Sequence, residues 1–417
     1  MDKKLEHIYN NISLMKKSEE NYAVKVFNIK NPEQYLYCYY KTEEDFFKDC
    51  KKLFIDIIPK KNMLNKEISY SQLYKELKSY LFYKILKENS SLFDKKFIFL
   101  EEHTKKISKL IKEIENSFKE YIKKYYPLEV NFFYARIYNI SISKKEEIGS
   151  YTLYKVDKNE DELAQYLNYL KNNCQIIPEY VIKTKIKARD CEAICELANK
   201  KNDDFLSILN FMRQTNVTID GQYNFISKYN ISLSENMECE YSNQDFCQQL
   251  NFNEIKNQDF FKKLVELIEK DNPNFLEKKI KLSLHWLKEA KYEKTEINAL
   301  VKAITSLEAL ILTKKLNEKY GIQNNAITIP LIILEIKEEE KKKKIIKILK
   351  ELYDKRSEVV HNGEAYVEYN EIQNLLKIIE DLIVNLIEDQ QYGKLETEKQ
   401  YNEYFIEKCL LKEEKNI

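Results

Sequence analysis

The sequence predicts an α+β N-terminal region followed by an all-α C-terminal helical bundle, mainly α overall. Three observations predict it. Over residues 1–250, short runs rich in β-branched and aromatic residues alternate with helical patterns. After a polar transition, Asn251–Asn274, which contains Pro273, apolar residues recur every three or four positions in long helical stretches. The apolar content of 43% is ample for buried cores, and 417 residues suggest two or three domains. The expected division is 1–250, with a subdomain break near 128, then a bundle over 255–390, then a charged tail over 391–417.

Each element has its own signal. Tyr22–Ile29 and Gln34–Tyr40 read as strands, and Glu43–Phe54 as a helix. Residues 70–89 and 102–126 are helical patterns; the second carries Ile107, Ile111, Ile114 and Phe118, and Pro127 ends it. Residues 129–157 read as a hairpin turning near Gly149-Ser150. Helices at Asp161–Lys171 and Cys191–Phe211 flank a strand at Tyr180–Ala188, and residues 221–242 are again β-like. The expected bundle helices are Asn274–Ala290, Thr295–Lys319, Glu338–Val360 and Glu371–Asp389. The last has a core stripe at positions 372, 375, 376, 379, 382, 383 and 386. Trp286 reads as core or as a dimer interface. The charged tail is expected to form one more helix.

Composition excludes several function classes. Five glycines, at 149, 221, 321, 363 and 393, are too dispersed for a phosphate-cradling loop or a dinucleotide fingerprint. With 69 basic and 68 acidic residues the net charge is +1, so any nucleic-acid contact has to be local. Within the charge run Lys337–Lys344, Glu338–Glu340 precede Lys341–Lys344, an order that suits pairs four apart on an exposed helix face. Cys191 and Cys195 share a helix face, but no second pair or nearby histidine completes a zinc site. Scattered thiols and an N-terminus without an apolar core are expected of a cytoplasmic chain. The longest apolar stretch, Ile327–Ile336, is interrupted by Pro330 and too short to span a bilayer, so no membrane partner is expected.

The most informative local feature is Arg356 and His361, five positions apart in a predicted helix. Arg supplies a fixed cation, and His is the side chain that titrates near neutrality. The helix stripe runs Ile345, Ile348, Leu349, Leu352, Val359 and Val360. Arg356 falls on that stripe, four after Leu352 and three before Val359, so it turns inward and needs a partner. Glu308, four after Ile304 and three before Ile311 on an earlier helix, sits at a stripe edge and is placed to be that partner. Five helical residues turn through about 500°, which would point Arg356 and His361 about 140° apart. They can serve one site only if the helix ends near His361 or a second chain contributes. Asn362-Gly363 is the expected helix stop.

The stretch Leu352-Tyr353-Asp354-Lys355-Arg356-Ser357-Glu358-Val359-Val360-His361-Asn362-Gly363 resembles the C-terminal region of HEPN-domain proteins, in particular the Apea-like group. A second match is Ala303–Ile311, which contains Leu307-Glu308-Ala309-Leu310, and a looser one is Tyr180–Asp190 with the helix after it. The resemblance covers roughly 255–390 well, 180–215 loosely and 1–150 hardly at all. It implies a helical bundle, usually dimeric, with the Arg and His of both chains facing one cleft. It implies a metal-independent endoribonuclease without a cofactor, acting as a toxin or in antiviral abortive infection. His361 would be the general acid/base and Arg356 the phosphate-binding residue, with Ser357, Glu308, Tyr353 and Asp354 in support. Ser357 stands where related groups often have Asn or Asp. Gly363 stands where some toxins of the family carry Tyr, which argues against their toxin–antitoxin pairing. The expected partners are RNA, a second copy of the chain, and a phage-derived trigger or partner protein sensed by the N-terminal region. The alternative is a non-catalytic HEPN module that binds a nucleotide, an RNA or a protein.

Overall fold

The computed structural model describes residues 22–27, 35–40, 67–69, 71, 72, 76, 120–156, 163–173, 177–212, 217–226, 231–233, 249–363 and 366–415. The helix expected at Glu43–Phe54, most of that over 70–89, the greater part of that over 102–126, and the β-like pattern beyond 233 lie outside these residues. Within the described residues the chain is mainly helical, with a small sheet in its N-terminal and middle parts. It forms two compact units: residues 1–131 with 186–197, and residues 132–185 with 198–417.

In the first unit, β1 (Tyr22–Phe27) pairs antiparallel with β2 (Tyr35–Tyr40). Residues 120–125 are helical, and the helix stops ahead of Pro127, whose ring disfavours helical backbone at the preceding residue. Arg189 organises this unit. Its Nε and Nη2 donate to Glu67 Oε2 at 3.0 and 2.9 Å, and its Nη1 donates to the Tyr126 carbonyl at 2.6 Å. The neighbouring Asp190 accepts from the Ser69 and Ala193 amides, at 2.7 and 3.0 Å, and so caps the helix that follows.

The second unit holds most of a six-stranded sheet. Its strands are β3 (Glu129–Tyr138), β5 (Glu146–Ile148), β6 (Tyr151–Lys155), β7 (Tyr180–Ala188), β8 (Thr218–Ile226) and β9 (Ile231–Leu233), in the order β5-β6-β7-β3-β8-β9. A parallel pair, β4 (Ile140–Ser141) with β10 (Leu250–Asn251), lies outside it. The expected hairpin over 129–157 is shorter than the sequence suggests. Only β5 and β6 form it, turning at Gly149 (φ 56°) and Ser150. β3 instead occupies the sheet interior between β7 and β8. The reason is visible in its burial: Phe133, Tyr134, Ala135, Arg136 and Ile137 are all buried, so both faces are covered, as a central strand requires. Gly149 suits its positive φ, and the Glu269 carboxylate, which accepts from the Ser150 amide at 2.6 Å, occupies the space a Cβ would take.

One sheet face packs against α1 (Ala164–Asn173) through Tyr134, Tyr154 and Val181 with Leu163, Tyr166 and Leu170. Helix α2 spans Cys191–Met212, and within the second unit its Phe205 stacks on Tyr151 of β6 at 4.3 Å. Thr184 Oγ1 also donates to Asn202 Oδ1 at 2.6 Å. On α2 the Cys195 thiol bonds back to the Cys191 carbonyl at 3.0 Å.

The remaining helices are α3 (Phe252–Ile255), α4 (Asp259–Glu269), α5 (Phe275–Lys291), α6 (Glu296–Ile311), α7 (Lys314–Tyr320), α8 (Ile322–Ile333), α9 (Glu339–Asn362), α10 (Tyr369–Glu388) and α11 (Glu398–Lys415). The pair α5 and α6 approaches closely at buried small residues, where Ser306 Oγ donates to the Ser283 carbonyl at 2.7 Å. Each expected stripe position of α10, from Ile372 to Leu386, is buried. Trp286 is half-buried, edge-on to His285.

Two local departures from the sequence reading have physical causes. The helix expected over Thr295–Lys319 is two helices, α6 and α7. Leu312 is extended (φ −83°, ψ 141°), and Thr313 restarts the helix by accepting from the Leu316 amide while bonding Asn402 of α11. The apolar stretch around Pro330 is helix α8, exposed in its first turn but buried from Ile329 to Ile333, so its packing outweighs the lost backbone bond of an interior proline. The tail forms the expected further helix, α11, and its Tyr401, Phe405 and Cys409 are buried. Tyr401 Oη donates to the Leu310 and Ile311 carbonyls at 3.2 and 3.1 Å.

Lys279 of α5 also serves the C-terminus of α6. Its ammonium donates to the Ala309 and Leu312 carbonyls at 3.0 and 2.6 Å and lies over the Phe275 and Tyr401 rings. Burial pulls this amine down to about 8.

Candidate active site

The site residues lie on α6 and α9, which pack against each other. α9 starts at Glu339 after an extended Glu338 and buries Ile345, Leu349, Leu352 and Tyr353. Its charged first turns are exposed and paired, with Lys342 to Glu339 at 3.3 Å and Lys343 to Glu340 at 3.6 Å. The buried stripe ends earlier than the sequence suggests. Val360 is 55% exposed, because the last turn of α9 is not covered by the helices around it.

The structure brings Arg356, Glu308 and Tyr353 together. Arg356 Nη2 lies 3.9 Å from Glu308 Oε2, an ion pair too long to be a hydrogen bond. Tyr353 Oη donates to Glu308 Oε1 at 3.4 Å, at the long limit. Burial, and then the facing Glu308 carboxylate, push the Tyr353 phenol far above its ordinary value, so it stays a protonated donor. Glu308 thus has a fixed neighbour on one oxygen and the guanidinium on the other.

Arg356 is only partly spent. Its Nε is buried without a hydrogen-bond partner among the described residues, while the side chain as a whole remains 36% exposed. A guanidinium has five donors in a planar fork that matches a phosphate or carboxylate. Held loosely at 3.9 Å by one carboxylate, it retains donors for an incoming anion.

His361, Ser357 and Asp354 do not join this group within one chain. α9 continues through Asn362 and ends on Gly363, left-handed at φ 81°, whose amide donates to the Val359 carbonyl at 2.9 Å. His361 is therefore still helical and exposed, directed about 140° from Arg356. Ser357 is exposed, and Asp354 is exposed and accepts from Gln323 Nε2 of α8 at 3.2 Å. Lys355 on the same turn reaches both carboxylate oxygens of Glu371 at 2.7 and 2.6 Å and ties α9 to the first turn of α10.

A second polar constellation is not apparent in the sequence. His285 Nδ1 lies 2.8 Å from Asp203 Oδ2, and the buried Lys288 Nζ pairs with Asp203 Oδ1. The hydrogen bond to Asp203 holds His285 above its usual value. Burial alone would raise the Asp203 carboxyl, but bonds from His285 and Lys288 hold it below the ordinary range. The three-residue spacing of His285 and Lys288 was the one available signal; Asp203 is 82 positions upstream of His285.

Among the described residues no group of three or more His, Cys, Asp or Glu side chains is arranged to hold a metal ion. None of their helices is long and apolar enough to cross a membrane. No known protein family, curated protein or solved structure matches this chain.

Proposed function

We propose that the chain is an endoribonuclease of the HEPN type, active as a homodimer and restrained by its N-terminal region until a trigger, such as a phage product, is sensed. The observation that carries the reading is Arg356: an inward guanidinium with an unpartnered buried Nε, five positions before an exposed histidine on the same helix. Cleavage of RNA by its own 2′-hydroxyl needs a base for that hydroxyl, an acid for the departing 5′-oxygen, and cations for the charged phosphorane. Two copies of His361, one from each protomer, would supply base and acid. Two copies of Arg356 would bind the phosphate and stabilise the charge, and the scheme requires no metal. The 140° divergence makes the second protomer necessary, because one chain does not direct both side chains to one point. Glu308 and Tyr353 position Arg356 in the absence of RNA.

The test is induction of the protein in a bacterial host with RNA integrity and growth as readouts. Wild type is compared with Arg356→Ala and His361→Ala at matched protein levels. RNA cleavage and growth arrest by wild type alone support the proposal; cleavage by His361→Ala refutes it. The second reading, a non-catalytic HEPN module, is favoured by the Glu308 carboxylate that already faces Arg356 and by the net charge of +1. It predicts ligand binding without product.

A further inference from the structure

We propose that Tyr366 and Tyr369 form a stacking platform for the bases of single-stranded RNA beside His361; this inference rests on the nuclease reading of Arg356 and His361. Both tyrosines are turned to solvent, at 80% and 65% exposure, the two most exposed large hydrophobic side chains described. They are held there by their neighbours. Val367 between them is buried, Glu368 and Glu371 form a reciprocal cap at the start of α10, and Lys355 grips Glu371 with two bonds. The platform is thus fixed to the turn of α9 that bears Arg356. Five residues of chain place Tyr366 no more than about 18 Å from His361, within a few nucleotides of it.

The local charge explains why stacking has to supply the affinity. Asp354, Glu358 and Glu368 are exposed on the same two helix ends, and Lys355 is consumed by Glu371. Arg356 is the cation of this turn left for a phosphate. A site so poor in cations gains little from counterion release, so stacking, which every base offers through its π-face, has to outweigh the repulsion of these carboxylates. A tyrosine suits such exposure better than an aliphatic residue, since its ring presents a flat apolar face and its hydroxyl stays hydrated.

The experiment measures binding of a fluorescent, mixed-sequence RNA oligonucleotide with 2′-O-methyl sugars, which cannot be cleaved, to the full chain. Tyr366→Ala and Tyr369→Ala are expected to weaken binding on the order of tenfold each, with the corresponding Phe variants near wild type. An abasic oligonucleotide should bind poorly, and log K against log salt should have a shallow slope, about −0.7 to −1.4 for one or two phosphates. Cleavage of the unmodified RNA should show a raised KM with kcat retained. Equal binding by the Ala variants, equal binding of the abasic strand, or absence of binding by wild type overturns the inference. So does a change in dimerisation without a change in RNA affinity, which would make the tyrosines a protein interface. If wild type cleaves through His361 while the Ala variants bind normally, only the stacking inference falls. If cleavage does not depend on His361, the nuclease reading falls, whatever the tyrosines do.

Discussion

The Arg356 guanidinium faces the Glu308 carboxylate across the α6–α9 contact at 3.9 Å, close enough to attract and too far to hydrogen-bond. A partly exposed pair of this length adds less than about 1 kcal/mol to stability. Arg356→Ala should therefore leave the fold intact by thermal melting while abolishing cleavage. A large loss of stability would make Arg356 structural instead.

His361→Ala should leave the melting temperature unchanged, because His361 is exposed on the last turn of α9. Cleavage should fall about 10²- to 10⁴-fold, the range of lost general acid/base catalysis. Mixing His361→Ala with Arg356→Ala chains gives a further readout. Because the proposed cleft uses both His361 copies as acid and base, the heterodimer should regain little cleavage, and full recovery on mixing would sink the two-histidine scheme.

Gly363→Ala places a Cβ on a left-handed residue, φ 81°, with open space around it. The expected cost is about 1 kcal/mol from backbone strain alone. The end of α9 should fray, with faster amide hydrogen exchange at Val360 and His361. Unchanged protection there would show that other contacts hold the helix end.

The His285–Asp203 bond predicts a pH dependence of stability. His285 is held above its unfolded value by Asp203, so its contribution is fully present below about pH 6.5 and lost as pH rises through the higher folded value. Melting temperatures of wild type and His285→Gln, taken between pH 5.5 and 8.5, should converge as pH rises. A constant gap would mean that the pair does not titrate with folding.

Lys279 predicts the opposite trend at higher pH. Burial depresses its amine to about 8, below its unfolded value, so the unfolded chain binds more protons between those values. Relative to Lys279→Met, wild type should gain stability between about pH 8 and 10.5. A flat difference would mean that the ammonium is effectively solvated against the α6 carbonyls.

The periodic parts of the bundle were legible in the sequence. The stripe of α10, the start of α9 beside Glu338 and its stop on Gly363 follow from spacing and capping chemistry, which are local. So does the nearness of Arg356 to Glu308, because Arg356 lay on one apolar stripe and Glu308 at the edge of another. Where local signals competed with packing, they failed. Thr313 broke a helical pattern because its hydroxyl caps α7 and reaches Asn402, and α8 formed despite Pro330 because its second half, Ile329 to Ile333, is buried.

Sequence by itself therefore determined which residues form the helix that carries Arg356 and His361, since helix periodicity and caps involve residues three or four apart. Only the tertiary structure decided what those helices meet. It left Arg356 with an unpartnered Nε and set β3 at the centre of a sheet rather than in a hairpin. It also joined Asp203 to His285 across 82 positions. These depend on long-range packing and on which polar groups lose water together, and no local pattern encodes that.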